Sequence, residues 1–349
     1  MQKTIILHIG AHKTGTTAIQ SFFAANRETF AANGLLYPAA GIPSGSAGHH
    51  CVPWAFGRGR RHTAAVVDSF QALKKEIRAS VADIVLLSSE ELERQNCPTG
   101  RIARDLELGA GKCIIVLFVR RQDELIASAY AEQVKQGRHF PALSDFVDAQ
   151  LKLRRGDYHA LLMSWRRVLP KVIFRILNYS DPAVAADSVK AMCDALQLAV
   201  PSGLTAADRR NPSIHPRYLP FLNFINRAAI DDRESRHNMV IRPLLQLSSA
   251  KTPDPVKHYV IDPALRARIV DCYAESNALL GQESPGKQKP FSFDRSEFDQ
   301  GVCVDPDGIS LAEFARTFRA VGEVADQLAS IRKAGTGRAE AASTHDEAA

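Results

Sequence analysis

Four short stretches of the chain are built almost wholly from aliphatic and β-branched residues: Thr4–Ile9 (TIILHI), Asp83–Ser88 (DIVLLS), Cys113–Val119 (CIIVLFV) and Val172–Leu177 (VIFRIL). DIVLLS and CIIVLFV lack the alternation of a strand that shows one side to water. Strands covered on both faces of a parallel sheet have this pattern. Helical spacings lie between the stretches. Ile19, Phe22, Phe23 and Phe30 recur on one face over 16–33 and stop at Asn33-Gly34, a C-cap signal. Phe70, Leu73 and Ile77 precede the second stretch, and Leu125 to Val134 follow the third. Strand and helix alternating in this way predict a three-layer α/β/α fold with a central parallel sheet and right-handed crossovers.

From about residue 182 the patterns are helical, over 182–198, 216–229, 263–280 and 309–331. We read 1–180 as the α/β core and 181–333 as helical additions completing the same domain. Charges and prolines over 231–258 predict an irregular or partly helical segment. Residues 41–63, with glycines, prolines, His49, His50 and the run GRGRRH, predict an irregular loop over one sheet edge. The Ala-, Gly-, Glu- and Thr-rich stretch 334–349 predicts a disordered tail.

With 45% hydrophobic and 23% charged residues, composition excludes disorder for most of the length. The excess of 44 Lys+Arg over 38 Asp+Glu is spread along the chain and favours anionic ligands. With only 7% aromatics and no RNA-binding signature, no nucleic-acid partner is expected. No run approaches about 18 apolar residues, so no membrane insertion is expected. Thr4–Ile9 is also too short for a secretory signal. The 6 cysteines form no CxxC pair, which suits free thiols in a reducing compartment and a cytoplasmic location.

The first strand leads into Gly10-Ala-His-Lys-Thr-Gly-Thr-Thr17. Glycines at 10 and 15 allow a tight turn whose N–H groups converge on an anion at a helix N-terminus. Thr16 and Thr17 add hydroxyls, and Lys13 adds a charge. A Walker A loop, GxxxxGK[ST], requires lysine at position 16, where this chain has threonine. The lysine that grips a triphosphate is therefore missing.

HIGAHKTGTTAIQ resembles the 5′-phosphosulfate-binding loop of sulfotransferases, especially the carbohydrate-directed and bacterial branches. The resemblance implies a P-loop-like α/β/α fold and 3′-phosphoadenosine 5′-phosphosulfate as sulfuryl donor. Lys13, Thr14, Gly15, Thr16 and Thr17 would hold its 5′-phosphate, and Lys13 would also reach the bridging oxygen. The third strand leads into Val119-Arg-Arg-Gln-Asp-Glu-Leu-Ile-Ala-Ser-Ala-Tyr130. In that family an arginine at a strand end and a serine eight residues later hold the 3′-phosphate, and Arg120 and Ser128 have this spacing. The family's R-N-P-x-D-R is here Arg120-Arg-Gln-Asp-Glu-Leu125, so frame and spacing match and the letters do not. Independently of the family, an arginine at the C-terminal end of a buried strand faces the crevice where α/β sheets bind ligands, with a fork suited to phosphate. The resemblance spans about residues 3–180.

A hydroxyl or amine acceptor must lose a proton as it attacks sulfur, so a base is needed. Glu90, after the strand Asp83–Ser88, is one candidate; His49 and His50 are the others, with His12 a third imidazole. No metal-ligand spacing and no GxSxG elbow occurs, and no metal is expected. The leading expectation is sulfuryl transfer to a small-molecule or glycan acceptor, a carbohydrate or glycolipid by analogy. The alternatives are a nucleotide-dependent small-molecule kinase with a degenerate phosphate loop, and a non-catalytic nucleotide-binding module.

Overall fold

The computed structural model describes residues 2–57, 60–94, 96–138, 142–201, 204, 213–227, 233–249, 258–283 and 301–346. The chain divides into two compact units. The first comprises Met1–Leu125, Gln150–Asn211 and Arg268–Asp294; the second comprises Ile126–Ala149, Pro212–Ala267 and Arg295–Ala349.

The first unit is a three-layer α/β/α structure. Its strands β1 (Thr4–His8), β2 (Leu35–Leu36), β3 (Ile84–Ser88), β4 (Cys113–Val119) and β5 (Ile173–Asn178) form one sheet in the order β2-β3-β1-β4-β5. Every pairing is parallel, with Leu7 opposite both Leu87 and Ile115. The helices are α1 (Thr16–Ala25), α2 (Arg27–Ala32), α3 (Cys51–Trp54), α4 (Ala64–Ala79), α5 (Thr99–Asp105), the start of α6 (Gln122–Lys135), the end of α7 (Leu143–Lys152), α8 (Tyr158–Val168), α9 (Pro182–Ala186) and α10 (Ser188–Leu196).

Successive side chains of a strand point to opposite faces, and each face has its own core. Ile5, Leu7, Val85, Leu87, Ile115 and Leu117 pack with Phe70 and Leu73 of α4, Ile102 of α5, and Leu161 and Trp165 of α8. Ile6, Leu86, Ile114, Val116 and Phe118 pack with Ile19, Phe22 and Phe23 of α1, Phe30 of α2, and Met192 and Cys193 of α10. The unbroken apolar run of β4 is thus explained, since all seven of its residues are buried.

Local readings change in places. The helix expected over 16–33 breaks at Asn26, whose side-chain Nδ2 donates to the Phe22 carbonyl at 2.8 Å and ends α1. Gly34 takes the positive φ of 82° that the Asn-Gly signal anticipated. The described part of 41–63 is mostly irregular, as its glycines and prolines predict, but it carries the short helix α3, and His49, His50, Cys51 and Val52 are buried. Arg58 lies outside the described residues.

In the second unit, α11 (Leu219–Arg227), α12 (Arg233–Arg236), a π-type turn (His237–Ile241) and α13 (Arg242–Ser249) precede a two-residue parallel pairing of β6 (His258–Tyr259) with β7 (Val302–Cys303). The helical segments in 233–249 make this stretch partly helical, one of the two forms expected there, and Ile241, Pro243 and Leu244 are buried. Buried Asn223 donates to Tyr130 Oη at 2.6 Å and to the Pro306 carbonyl at 2.9 Å. α14 (Pro263–Cys272) spans the division between the units, and α15 (Ala274–Glu283) belongs to the first. α16 (Leu311–Asp346) runs through most of the expected tail; its alanines and glutamates are good helix formers, and this propensity wins over the low-complexity composition. The described cysteines are free. Among the described residues no helix is long and apolar enough to cross a membrane.

Candidate functional site

The chain leaves β1 toward β2 on one side of the sheet and leaves β4 toward β5 on the other. The C-terminal ends of β1 and β4 therefore flank a topological switch point, the place where open α/β sheets bind ligands. The loop after β1 is anchored there. The Ala11 N–H donates to the Phe118 carbonyl at 2.8 Å, and the Phe118 N–H donates to the Gly10 carbonyl at 2.7 Å.

Within the loop, Thr14 donates its hydroxyl to the Ala11 carbonyl at 2.5 Å, so that proton is committed to loop shape. Lys13 and Gly15 both have positive φ, 65° and 76°. Gly15 is the N-cap of α1 and offers no side chain to cap the first-turn N–H groups, and a helix N-terminus favours anions.

Arg120 follows β4 and joins the two motifs. Its Nη1 donates to the Lys13 carbonyl at 3.2 Å, and its Nε donates to Glu124 Oε2 at 3.2 Å. The guanidinium lies 6.0 Å from the Tyr179 ring. Tyr158, buried under the strand end, donates to the Arg120 carbonyl at 2.8 Å and holds that backbone. Arg121 is turned inward on Asp123, at 2.7 and 3.1 Å. Ser128 falls on α6, in the part that belongs to the second unit.

The rim after β3 brings the base candidates together. Glu90 opens a short 3-10 turn, Glu90–Glu93. Its Oε2 accepts from Gln20 Nε2 at 2.7 Å and lies 4.0 Å from His50 Nδ1. That His50 nitrogen is also 2.8 Å from Ser89 Oγ, and the ring lies against Trp54 with centroids 5.5 Å apart. Burial lowers the His50 pKa against the pull of Glu90 and Glu91.

His49 is separate from this group. Its Nε2 donates to the Pro38 carbonyl at 3.1 Å, and its Nδ1 accepts from the Ser88 N–H at 3.1 Å. Fully buried, it is held neutral, with its pKa pushed down to about 3. Both ring nitrogens are engaged, Nδ1 with the end of β3 and Nε2 with the backbone just after β2.

His12 is fastened differently. Its backbone N–H and its Nδ1–H both donate to Glu93, at 3.0 and 2.5 Å. Burial opposes its protonated form, but Glu93, with Glu90 behind it, outweighs that and raises its pKa. Glu91 is tied to Arg61 and Arg94, each at 2.6 Å; burial works against its charge, yet the two guanidiniums hold its carboxyl below the ordinary value.

Neither Gln20 nor Glu93 is a site candidate by sequence, although Gln20 closes the motif HIGAHKTGTTAIQ. Gln20 stands four residues after Thr16, on the same face of α1, the one signal that pointed to it.

The first unit is an α/β/α structure with its glycine-rich loop anchored at the switch point of its sheet. No family model and no curated protein matches the chain. Among solved structures, the crystal structure of a sulfotransferase from Alicyclobacillus acidocaldarius aligns with it at 13% identity and a TM-score of 0.41, over 65% of this chain and 94% of that one.

Proposed function

We propose that this chain transfers a sulfuryl group from 3′-phosphoadenosine 5′-phosphosulfate to a hydroxyl or amine, with a carbohydrate or glycolipid as the acceptor class. The contact from Arg120 to the Lys13 carbonyl carries the reading, because it brings two phosphate-type motifs from distant parts of the sequence to one crevice. The sequence resemblance of both motifs to sulfotransferases supports the same donor.

In this reading the first-turn N–H groups of α1, Thr16, Thr17 and Lys13 hold the 5′-phosphosulfate. Arg120 takes the 3′-phosphate. The acceptor oxygen bonds to sulfur as the bond from sulfur to the bridging oxygen breaks. Its proton passes to the Glu90 carboxylate, and Lys13 meets the charge left on the bridging oxygen. His50, beside Glu90, orders the acceptor side. His49 has no part in proton transfer.

Adenosine 3′,5′-bisphosphate, the product of the donor, should raise the melting temperature without any metal, since a ligand bound only to the native state stabilises it by mass action. Stabilisation by ATP–Mg²⁺ with none by the bisphosphate would point to a kinase instead. Arg120→Ala should weaken the bisphosphate by about 1.5–3 kcal/mol, the range for hydrogen bonds to charged groups, and leave adenosine 5′-phosphate almost unchanged in calorimetry. Equal losses for the two nucleotides would assign Arg120 to loop support alone.

A further inference from the structure

Glu90 and Glu91 are adjacent carboxylates held by unlike partners. Glu91 is neutralised by two guanidiniums. Glu90 receives an uncharged amide, Gln20 Nε2, at 2.7 Å. An amide donor can orient a carboxylate without the ion pair that would weaken it as a base.

Three features hold this contact in place. Gln20 is only 4% exposed, so its amide has little room to turn away. A β-carbon at Gly48 would lie 2.7 Å from Gln20 Cδ and Nε2, so the glycine leaves the space that the amide fills. A β-carbon at Gly10 would lie 3.1 Å from Cα and Cβ of Glu90, so the phosphate loop packs directly on the backbone of the same glutamate. The loop and the helix it starts thus support Glu90 from two sides.

We infer that Gln20 is a positioning residue for the proton acceptor Glu90, aiming its carboxylate from the helix whose N-terminus holds the donor. The inference rests on the sulfuryl-transfer reading. Gln20 touches neither donor nor acceptor, and it acts only through Glu90.

The experiment measures release of adenosine 3′,5′-bisphosphate from 3′-phosphoadenosine 5′-phosphosulfate, with water and with a panel of sugars and phenols, beside calorimetric affinity for the bisphosphate. Gln20→Leu should lower kcat by about 10²-fold, the scale of a misplaced catalytic group, with bisphosphate affinity and donor KM unchanged. In a Glu90→Gln background the same change should cost nothing more, because the carboxylate it served is gone. Gly48→Ala, which keeps both residues and displaces the amide, should show the same split between kcat and KM, and it serves if Gln20→Leu fails to fold. Losses that multiply in the double variant would overturn the inference, as would a Gln20→Leu or Gly48→Ala enzyme as active as wild type. A wild-type protein that never turns over the donor would overturn the sulfuryl reading first, and this inference with it.

Discussion

Lys13 carries a conflict between its backbone and its side chain. Its φ of 65° lies in the left-handed region, which costs an L-residue roughly 1–2 kcal/mol and glycine almost nothing. Lys13→Gly should therefore hold or raise the melting temperature while lowering kcat, since in the proposed reaction the charge that would meet the leaving oxygen is lost. Lys13→Ala keeps the strain and loses the charge, so it should lower kcat more than it raises donor KM and bring no gain in stability. Thermal denaturation and steady-state kinetics on the two variants separate the contributions. Both variants melting well below the wild type would show that the lysine side chain supports the loop.

At the scale of elements, the turn from β1 into α1 depends on Gly15. Its φ is 76°, and a β-carbon there would come within 2.6 Å of Ser188 Oγ at the start of α10. Gly15→Ala should melt several degrees lower and bind the bisphosphate much more weakly; calorimetry and a thermal melt check both. β1, β3 and β4 were legible in the sequence because burial on both faces writes itself as an apolar run; β5 was legible as an apolar run although it is mostly half-buried, and the two-residue β2 left no such signal. The glycine-rich loop and Arg120 stood out because they follow strand ends. Gln20 and Glu93 did not. Gln20 meets Glu90 and His12 meets Glu93 across 70 and 81 residues of sequence, and no local periodicity encodes such pairings. The surroundings of His49 were illegible for the same reason: nothing local in the sequence shows that the Ser88 N–H at the end of β3 reaches its ring.

For the molecule as a whole, buried imidazoles should govern stability in mild acid. His8 and His49 are fully buried, and burial, the leading cause in each, lowers the pKa from 6.5 to about 3. The folded protein keeps them neutral while the unfolded chain protonates below 6.5, so stability is fully present above that pH and falls as pH drops toward 3. Each contributes a slope of about 1.4 kcal/mol per pH unit within that window. His12 has the opposite sign. With its pKa raised, its contribution is complete below 6.5 and fades as pH rises through the folded value. Urea denaturation between pH 5 and 6, above the range where Glu91 and Asp157 titrate, should show stability falling toward acid. A His8→Phe variant, placed edge-on to Phe118 as His8 is at 5.5 Å, should lose about half of that histidine slope. An unchanged slope would show that His8 takes up its proton without unfolding.

The position of β1 in the sheet also has a consequence for synthesis. The strand at residues 4–8 is the central one, and its partners are Ile84–Ser88 on one side and Cys113–Val119 on the other. A ribosome makes the middle of the sheet first and its neighbours much later. At about 5–20 residues per second, the nascent strand waits on the order of ten seconds for both edges to be covered. The glycine-rich loop at its end has no arginine until the last of these strands has emerged. Chaperone occupancy on ribosome-bound chains should therefore peak before residue 113 is exposed and fall once the strand that ends at Val119 has cleared the exit tunnel.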